Sequence, residues 1–379
     1  MTRTLIHNAR VVTAHEVLGN AAVWIDNDRI VRIEKGPVSL PPDWNIVDAK
    51  QACLVPAWVD LHIHGMGGFG PEQGTAQSLI GLSTCLAKQG VGAFCPTLYG
   101  AKPAKMIELL QKLTPALGQE PGATIIGFHL EGPFISPQKP GVMRPEDMAP
   151  ADLHSFEQMY EAAQGKIAIV TLAPELPGID PIIDFCVQHH IVVQAGHTNA
   201  TYEQMQAAVD KGVHRVTHLG NAMSGLHQRA PGVLGAALVN KQISCEVIAD
   251  GKHVHPALLA LLHRTKLISQ ITAVTDALLP TQQAHEPFIA NGEEVILREG
   301  VWKRKTDEVT AGSALTMHGA FKQLLQIGYT LTEAACCTST NAAQVVGLSA
   351  NLQAGAQANM VLLSDNHDIL QIWLRGKAV

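Results

Sequence analysis

The segment VDLHIHGMGGFG, residues 59–70, ends an apolar run on two histidines one residue apart and continues into a glycine-rich stretch. Side chains of a β-strand alternate between its two faces, so His62 and His64 are predicted to point the same way. Two imidazoles on one face can share a metal ion, and the glycines permit a sharp turn beside it. Two ordinary polar residues at a strand end are the alternative that this segment alone leaves open.

Seven further apolar runs, each ending in polar residues, follow along the chain. They are AFCPTLYG (93–100), TIIGFHLEG (124–132), IAIVTLAPE (167–175), IVVQAGHTN (191–199), RVTHLGNAM (215–223), SCEVIADGKH (244–253) and ITAVTDA (271–277). Helix-like stretches, such as residues 104–117 and 256–266, lie between them. Apolar strands that alternate with helices indicate a parallel sheet, and eight such units favour a closed barrel. We therefore predict an α/β fold, a (β/α)₈ TIM barrel.

The two ends of the chain have a different pattern, of short strands and turns. Residues 21–36, AAVWIDNDRIVRIEKG, predict a hairpin, and residues 358–379 predict a strand, a turn and a second strand. The economical arrangement joins both ends in one module. We therefore predict a small β-sandwich domain from residues 1–53 and 352–379, beside a barrel domain of residues 54–351.

Two more elements are predicted in the sequence that follows the last barrel strand. Residues 287–308 resemble an inserted hairpin that turns at Asn291-Gly292 or near Gly300. The alanine-rich stretch 330–348 predicts a helix, with Thr330 or Thr332 as its N-cap.

The overall composition excludes several classes of function. The 379 residues are 46% hydrophobic and 16% charged with a net charge of −6, as expected of a well-buried globular protein. The longest basic stretch, WKRKTDE, is short and interrupted by acids, so neither nucleic acid nor a membrane surface is predicted as a partner. Seven cysteines without CxxC spacing fit reduced thiols, which predicts a cytoplasmic protein.

Histidine and carboxylate side chains collect at the ends of the predicted barrel strands. They are His62, His64, Glu131, His197, His218, the pair Asp250 and His253, and Asp276. Active sites of such barrels lie at the C-terminal ends of the strands. Nitrogen and oxygen donors suit Zn²⁺ or another first-row divalent ion, and three of them leave an open position for water. Asp276 could then act as a general base and acid, or it could cap the next helix.

Six motifs occur in order and together resemble the N-acetylglucosamine-6-phosphate deacetylase family of the amidohydrolase superfamily. They are GFHLEGPFISPQKPG (127–141), AGHTNATYEQ (195–204), THLGNAMSGLHQRAPG (217–232), VIADGKHV (247–254), VTDA (274–277) and TAGSALTM (310–317). The resemblance implies a (β/α)₈ barrel with a small β-sandwich from both termini. It also implies that Glu131, His197 and His218 are metal ligands and that Asp276 is the catalytic acid and base.

The same resemblance implies a site for a sugar phosphate. Its residues would be Val142, Asn221, Ala222, Arg229, His253, Thr310, Ala311 and Gly312. A guanidinium, an imidazole and main-chain donors are groups that hold a dianionic phosphate. In this family the arginine comes from the neighbouring subunit, which implies a homodimer; His227 is a weaker candidate for the same patch.

The family varies at the His-x-His pair, and this sequence differs from many members at Met143. Some members keep the His-x-His pair and bind two metal ions, whereas others replace it and bind one, so His62 and His64 make a second ion chemically reasonable. The ion is predicted to be Zn²⁺, with Fe²⁺, Co²⁺ or Mn²⁺ as alternatives. Met143 stands where the family often has a histidine or glutamine, and its thioether donates no hydrogen bond to an acetyl carbonyl.

The sequence therefore predicts a metal-dependent deacetylase that hydrolyses N-acetylglucosamine 6-phosphate to glucosamine 6-phosphate and acetate. The nearest alternative is the same reaction on N-acetylgalactosamine 6-phosphate, which differs at one hydroxyl group. Hydrolysis of a cyclic amide or a nucleobase would explain the metal ligands but not the segment from Asn221 to Arg229. A sugar-phosphate sensor without activity would need a broken ligand set, and this set is intact.

Overall fold

The structure, a computed structural model, describes residues 3–379. Its first strands are β1 (Arg3–Val12), β2 (Val17–Asp26), β3 (Arg29–Lys35), β4 (Asn45–Asp48) and β5 (Cys53–Pro56). The hairpin predicted in residues 21–36 is confirmed, because β2 and β3 pair antiparallel. Asn27, in its turn, has a φ of 54°, a left-handed conformation that asparagine tolerates better than most residues.

The predicted barrel is confirmed, and each of the eight apolar runs overlaps one of its strands. These are β6 (Trp58–Ile63), β7 (Val91–Tyr99), β9 (Phe128–Glu131), β10 (Ile167–Leu172), β11 (Val192–Ala195), β12 (Arg215–Val216), β13 (Ser244–Ile248) and β14 (Ile271–Val274), with the short β8 (Thr124–Ile125) beside β7. Neighbouring strands pair in parallel along the order β6-β7-β9-β10-β11-β12-β13-β14. A parallel bridge between Ile63 and Ala277 joins the last strand end to the first.

Helices cover the outside of the barrel. They are α1 (Ala76–Ala87), α2 (Pro103–Leu113), α3 (Leu153–Ala162), α4 (Asp180–Gln188), α5 (Tyr202–Asp210), α6 (Gly232–Val239), α7 (Pro256–Thr265), α8 (Met317–Gln326), α9 (Leu331–Ala335) and α10 (Asn341–Val345). A π-helical turn, Cys336–Thr340, joins α9 to α10. Of the two predicted N-caps, Thr330 is the one used: its hydroxyl accepts from the Glu333 amide, a contact that stabilises a helix by about 1 kcal/mol.

The predicted insertion in residues 287–308 is part of a four-stranded antiparallel sheet. Its strands are β15 (Ile289–Ala290), β16 (Glu293–Arg298), β17 (Val301–Arg304) and β18 (Thr310–Ser313). Both predicted turns exist, because β15 joins β16 through Asn291-Gly292 and β16 joins β17 through Gly300. The sheet ends on β18, which brings Thr310 to Gly312 toward the barrel.

The chain ends in β19 (Met360–Leu363), β20 (Ile369–Leu374) and β21 (Lys377–Ala378), which complete a sheet with the N-terminal strands. Its order is β21-β20-β19-β5-β1-β2-β3, with β4 beside β1. Both ends of the chain therefore build one separate β-module, as predicted. The strand β5 takes part in this sheet by pairing with both β1 and β19.

The largest core lies between the barrel strands and the surrounding helices. It contains Trp58, Phe94, Phe128, Phe156 and Phe321, all fully buried. A smaller core fills the terminal module. Among residues 3–379, none of the helices combines the length and apolarity that crossing a membrane requires.

Candidate active site and metal centre

The predicted metal-binding and catalytic side chains meet where the barrel strands end. Three of them, His197, His218 and Asp276, follow β11, β12 and β14 with left-handed φ angles of 49°, 27° and 49°. Such backbone costs a non-glycine residue on the order of 1–3 kcal/mol and clusters at functional sites. At each position the chain leaves its strand abruptly, which places the side chain at the mouth of the barrel rather than between strands.

The Glu131 carboxylate lies at the centre of four histidines. Its Oε1 atom is 3.1 Å from Nε2 of His218, 3.3 Å from Nε2 of His197 and 3.4 Å from Nε2 of His62. Its Oε2 atom is 3.2 Å from Nε2 of His64. All five residues are buried. Oε1 therefore faces three of the histidines, and Oε2 faces the fourth.

Two groups of three residues have the spacing of a metal site. One is Glu131, His197 and His218, and the other is His62, His64 and Asp276. In the second group, Oδ1 of Asp276 lies 3.4 Å from Nε2 of His64 and 3.6 Å from Nε2 of His62. Two ligands held about 2.0–2.1 Å from one tetrahedral ion are about 3.3 Å apart, so these separations match shared coordination.

The histidine tautomers also fit a metal. Nδ1 of His62 donates to Glu246 at 2.8 Å, Nδ1 of His64 to the Thr97 carbonyl at 3.0 Å, and Nδ1 of His197 to the Lys139 carbonyl at 3.0 Å. Each ring thus keeps the lone pair of Nε2 for a ligand. Nε2 of His62 is buried and makes no hydrogen bond within the described chain. The donor set fits a divalent metal ion.

The electrostatics of the site keep its carboxylates ionised. Burial disfavours the charged form of Glu131, but the surrounding histidines, His62 foremost, hold its pKa well below the usual range. Asp276 behaves in the same way, because His62 and His64 lower its pKa against the effect of burial. Burial lowers the pKa of His62, and the charges of Glu131, Asp276 and Glu246 raise it well above its usual value. A divalent cation would take the place of these protons.

A cavity of about 260 Å³ opens onto the metal-binding groups. Its lining includes His64, Glu131, His197, His218 and Asp276 and most of the predicted sugar-site residues: Val142, Asn221, Ala222, His253, Thr310, Ala311 and Gly312. Met143 lines it as well and is 4% exposed. His62 lies behind this surface and is fully buried. The structure thus brings together residues from widely separated motifs around one space.

His253 is oriented by its neighbour. Its Nδ1 donates to Oδ2 of Asp250 at 2.7 Å, and the same carboxylate accepts from the His253 amide at 2.8 Å. The opposite ring nitrogen, Nε2, is buried and has no hydrogen-bond partner in residues 3–379. Since His253 lines the cavity, it can offer this nitrogen to a ligand.

Arg229 is not brought to the cavity of its own chain. It lies with His227 in an exposed loop, residues 225–230, that precedes α6. Neither residue lines the cavity. Within one chain, the sugar-phosphate residues predicted from the resemblance are therefore assembled except for this arginine.

Three residues of the site were not predicted from the sequence. Tyr99, the last residue of β7, lines the cavity and stacks on His64 with ring centroids 3.7 Å apart. Glu246 and His129 are fully buried beneath the histidines. An aromatic residue at a strand end and a charged residue inside an apolar run were the available signals for Tyr99 and Glu246.

Burial and the charge of His62 lower the pKa of His129 to about 3, so this ring is neutral. Its Nδ1 donates to the Leu61 carbonyl at 3.1 Å, and its Nε2 accepts from the Thr171 hydroxyl at 2.8 Å. Its ring centroid lies 4.5 Å from that of His62. His129 therefore packs against His62, and both of its own ring nitrogens have hydrogen-bond partners.

Comparisons with known proteins support the family that the motifs suggest. The amidohydrolase family matches residues 53–379. An N-acetylgalactosamine-6-phosphate deacetylase of Escherichia coli O157:H7 is 31% identical, over 93% of this chain and 95% of its own. An N-acetylglucosamine-6-phosphate deacetylase of Bacillus subtilis is 30% identical, over 98% of this chain and 96% of its own.

A solved structure has the same overall fold. A mutant N-acetyl-D-glucosamine-6-phosphate deacetylase of Mycobacterium smegmatis, in complex with N-acetyl-D-glucosamine 6-phosphate, superposes with a TM-score of 0.93. It is 28% identical, and the match covers 100% of this chain and 99% of the other. The chain belongs to the amidohydrolase family and, within it, to the N-acetylglucosamine-6-phosphate deacetylases that its motifs resemble.

Proposed function

We propose that this chain hydrolyses N-acetylglucosamine 6-phosphate to glucosamine 6-phosphate and acetate. The observation that carries the proposal is one cavity that joins the Glu131 group and Asp276 to Asn221, Ala222 and His253. The first set suits amide hydrolysis, and the second suits an anionic sugar. The named activities of the relatives support the same reaction class.

Asp276 is the proposed general base and acid. It lines the cavity, is 8% exposed and is held ionised by His62 and His64, so it can accept a proton from an attacking water. The same carboxyl group then delivers that proton to the amine nitrogen as the amide bond breaks. A bound divalent ion supplies Lewis acidity for the carbonyl and lowers the pKa of water. Met143 adds no donor, so this chain offers no side-chain hydrogen bond to the carbonyl from that position.

The proposed metal ion is Zn²⁺, held by Glu131, His197 and His218. Imidazole nitrogens and a carboxylate oxygen are common zinc ligands, although Fe²⁺, Co²⁺ and Mn²⁺ accept the same donors. All seven cysteines are free thiols, which supports the proposed cytoplasmic location. We also propose that the β-module and the barrel are the two domains, with the insertion belonging to the barrel.

The substrate assignment is tested by measuring acetate release from the gluco and galacto compounds side by side. We expect kcat/KM to be at least about tenfold higher for N-acetylglucosamine 6-phosphate, because one misplaced hydroxyl group leaves a polar partner unpaired. Preference for the galacto epimer would keep the mechanism and favour the activity named for the Escherichia coli relative. Turnover of neither compound by metal-loaded protein would contradict the proposed function.

Arg229 is proposed to reach the phosphate in the neighbouring subunit of a homodimer. Its absence from the cavity of its own chain supports this arrangement, because the residue is exposed and its guanidinium forms no ion pair within residues 3–379. We expect Arg229→Ala to raise KM more than it lowers kcat, since a phosphate contact contributes mainly to binding.

A mixing experiment distinguishes a contribution between subunits from one within a subunit. Arg229→Ala and Asp276→Asn chains are unfolded, combined and refolded together, and activity is measured at low substrate concentration. If the arginine acts across the interface, mixed dimers contain one complete site, and about a quarter of wild-type activity returns. No recovery in verified mixed dimers would contradict the proposed geometry. Arg229→Lys, which keeps the charge without the planar fork, serves as the matched variant.

A further inference from the structure

A carboxylate is buried beneath the metal-binding histidines, in the middle of a barrel strand. Glu246 of β13 is fully buried. Burying a charged carboxylate is unfavourable unless hydrogen bonds and opposite charges compensate. Its oxygens are satisfied: Oε1 accepts from Nδ1 of His62 at 2.8 Å, and Oε2 accepts from Nε2 of Gln194 at 3.1 Å. The Arg215 guanidinium lies 3.9 Å away and supplies positive charge.

The contact with His62 decides which nitrogen of that ring is free. A carboxylate accepts hydrogen bonds and donates none, so Nδ1 of His62 must carry the proton. Nε2 then faces Oε1 of Glu131 at 3.4 Å and Oδ1 of Asp276 at 3.6 Å, where it makes no hydrogen bond within the described residues. Histidine ligands of metals commonly donate their other N–H to a carboxylate, which fixes the ring and makes it a stronger ligand.

We propose that Glu246 is a positioning residue, which holds His62 as a ligand and so determines the affinity of a second divalent ion at His62, His64 and Asp276. The proposal rests on the proposed function as a metal-dependent hydrolase. Glu246 orients no ring nitrogen of the Glu131 group; it meets that group at the main chain, where Oε1 accepts from the His218 amide at 3.3 Å. The second group depends on Glu246, because His62 has no other partner that fixes its ring nitrogens within residues 3–379.

A purely structural role for Glu246 makes a different prediction. In that case its substitution would lower the stability of the fold, because Gln194 and Arg215 would lose a partner. The metal content would stay unchanged. The test is therefore the number and affinity of bound ions, not activity alone. Glu246→Gln keeps the size and removes the charge, and Glu246→Leu removes the acceptor as well.

The experiment titrates Zn²⁺ into metal-free full-length protein against a chromogenic chelator and counts ions per chain by elemental analysis. We expect wild-type protein to hold two ions. Glu246→Gln should weaken the second by about 10–100-fold, the usual effect of losing such a partner, and Glu246→Leu should weaken it more. The first ion should stay bound in both variants. If Glu246→Leu does not fold, the isosteric Glu246→Gln alone provides the readout.

Thr272→Val is the matched control. Thr272 is buried in the same network and accepts from Arg215 at 3.2 Å, but it does not contact His62. It should retain both ions. Folded Glu246→Gln with an unchanged second affinity, or wild-type protein that holds only one ion, would overturn the proposal. Two ions bound without any deacetylation would overturn the proposed function instead and leave the role of Glu246 standing.

Discussion

Replacing Glu131 with alanine is expected to release the bound metal and to lower kcat/KM by at least about 10³-fold. The carboxylate lies within 3.4 Å of Nε2 of four histidines, which belong to both groups of metal-binding residues. No other carboxylate of residues 3–379 contacts Nε2 of all four histidines. Its loss would also leave the histidine cluster without a central negative charge, so proton and metal affinity should both fall. Elemental analysis measures the loss of metal, and acetate release measures the loss of kcat/KM.

The control for Glu131→Ala is a carboxylate outside both metal-binding groups. Glu72 is half-buried and accepts from the Asn291 main-chain amide at 2.8 Å, so Glu72→Gln also removes a partly buried negative charge. We expect that variant to keep its metal. Circular dichroism establishes that both variants are folded. Full metal content and activity in folded Glu131→Ala would contradict the assignment of Glu131 as the central ligand.

The barrel could be predicted from the sequence because its strands are buried on both faces. Such strands appear as continuous apolar runs, and the polar residues that end them mark the mouth. The lengths of the strands could not be predicted in the same way. The run RVTHLGNAM, residues 215–223, contributes only Arg215–Val216 as strand, because the backbone turns into a left-handed conformation at His218.

Glu246 shows why part of the site was missed. It lies inside the run SCEVIADGKH, whereas the residues that the sequence predicts for the site lie at the C-terminal ends of such runs. Its importance comes from pairing with His62, a residue 184 positions away, and no local pattern encodes that contact. Its charge inside an apolar strand was a usable sign, because a buried carboxylate requires partners.

Arg229 illustrates the opposite case. Its motif suggested a role at the phosphate, yet a single chain leaves it in an exposed loop away from the cavity. A sequence reports which residue types are present and how they are spaced. It does not report whether two copies complete each other, since that depends on the shape of a surface formed only after folding.

Asp276→Asn is expected to lower kcat by about 10²–10⁴-fold, the usual contribution of a general acid and base. Asparagine matches the shape of aspartate but cannot accept and return a proton at neutral pH. The ion at Glu131, His197 and His218 should remain, because Asp276 is not in that group. Steady-state kinetics together with metal analysis checks both parts, and near-wild-type turnover would contradict the catalytic role.

Proton transfer can be separated from metal retention by changing the acyl group. Asp276 lies 3.4 Å from His64 and 3.6 Å from His62, so its loss could also disturb a second ion. An N-trifluoroacetyl substrate has a more electrophilic carbonyl and depends less on a base to activate the attacking water. If Asp276 transfers the proton, Asp276→Asn should lose less activity on this substrate than on the N-acetyl compound. A lost ion, together with equal losses on both substrates, would instead assign Asp276 to metal binding.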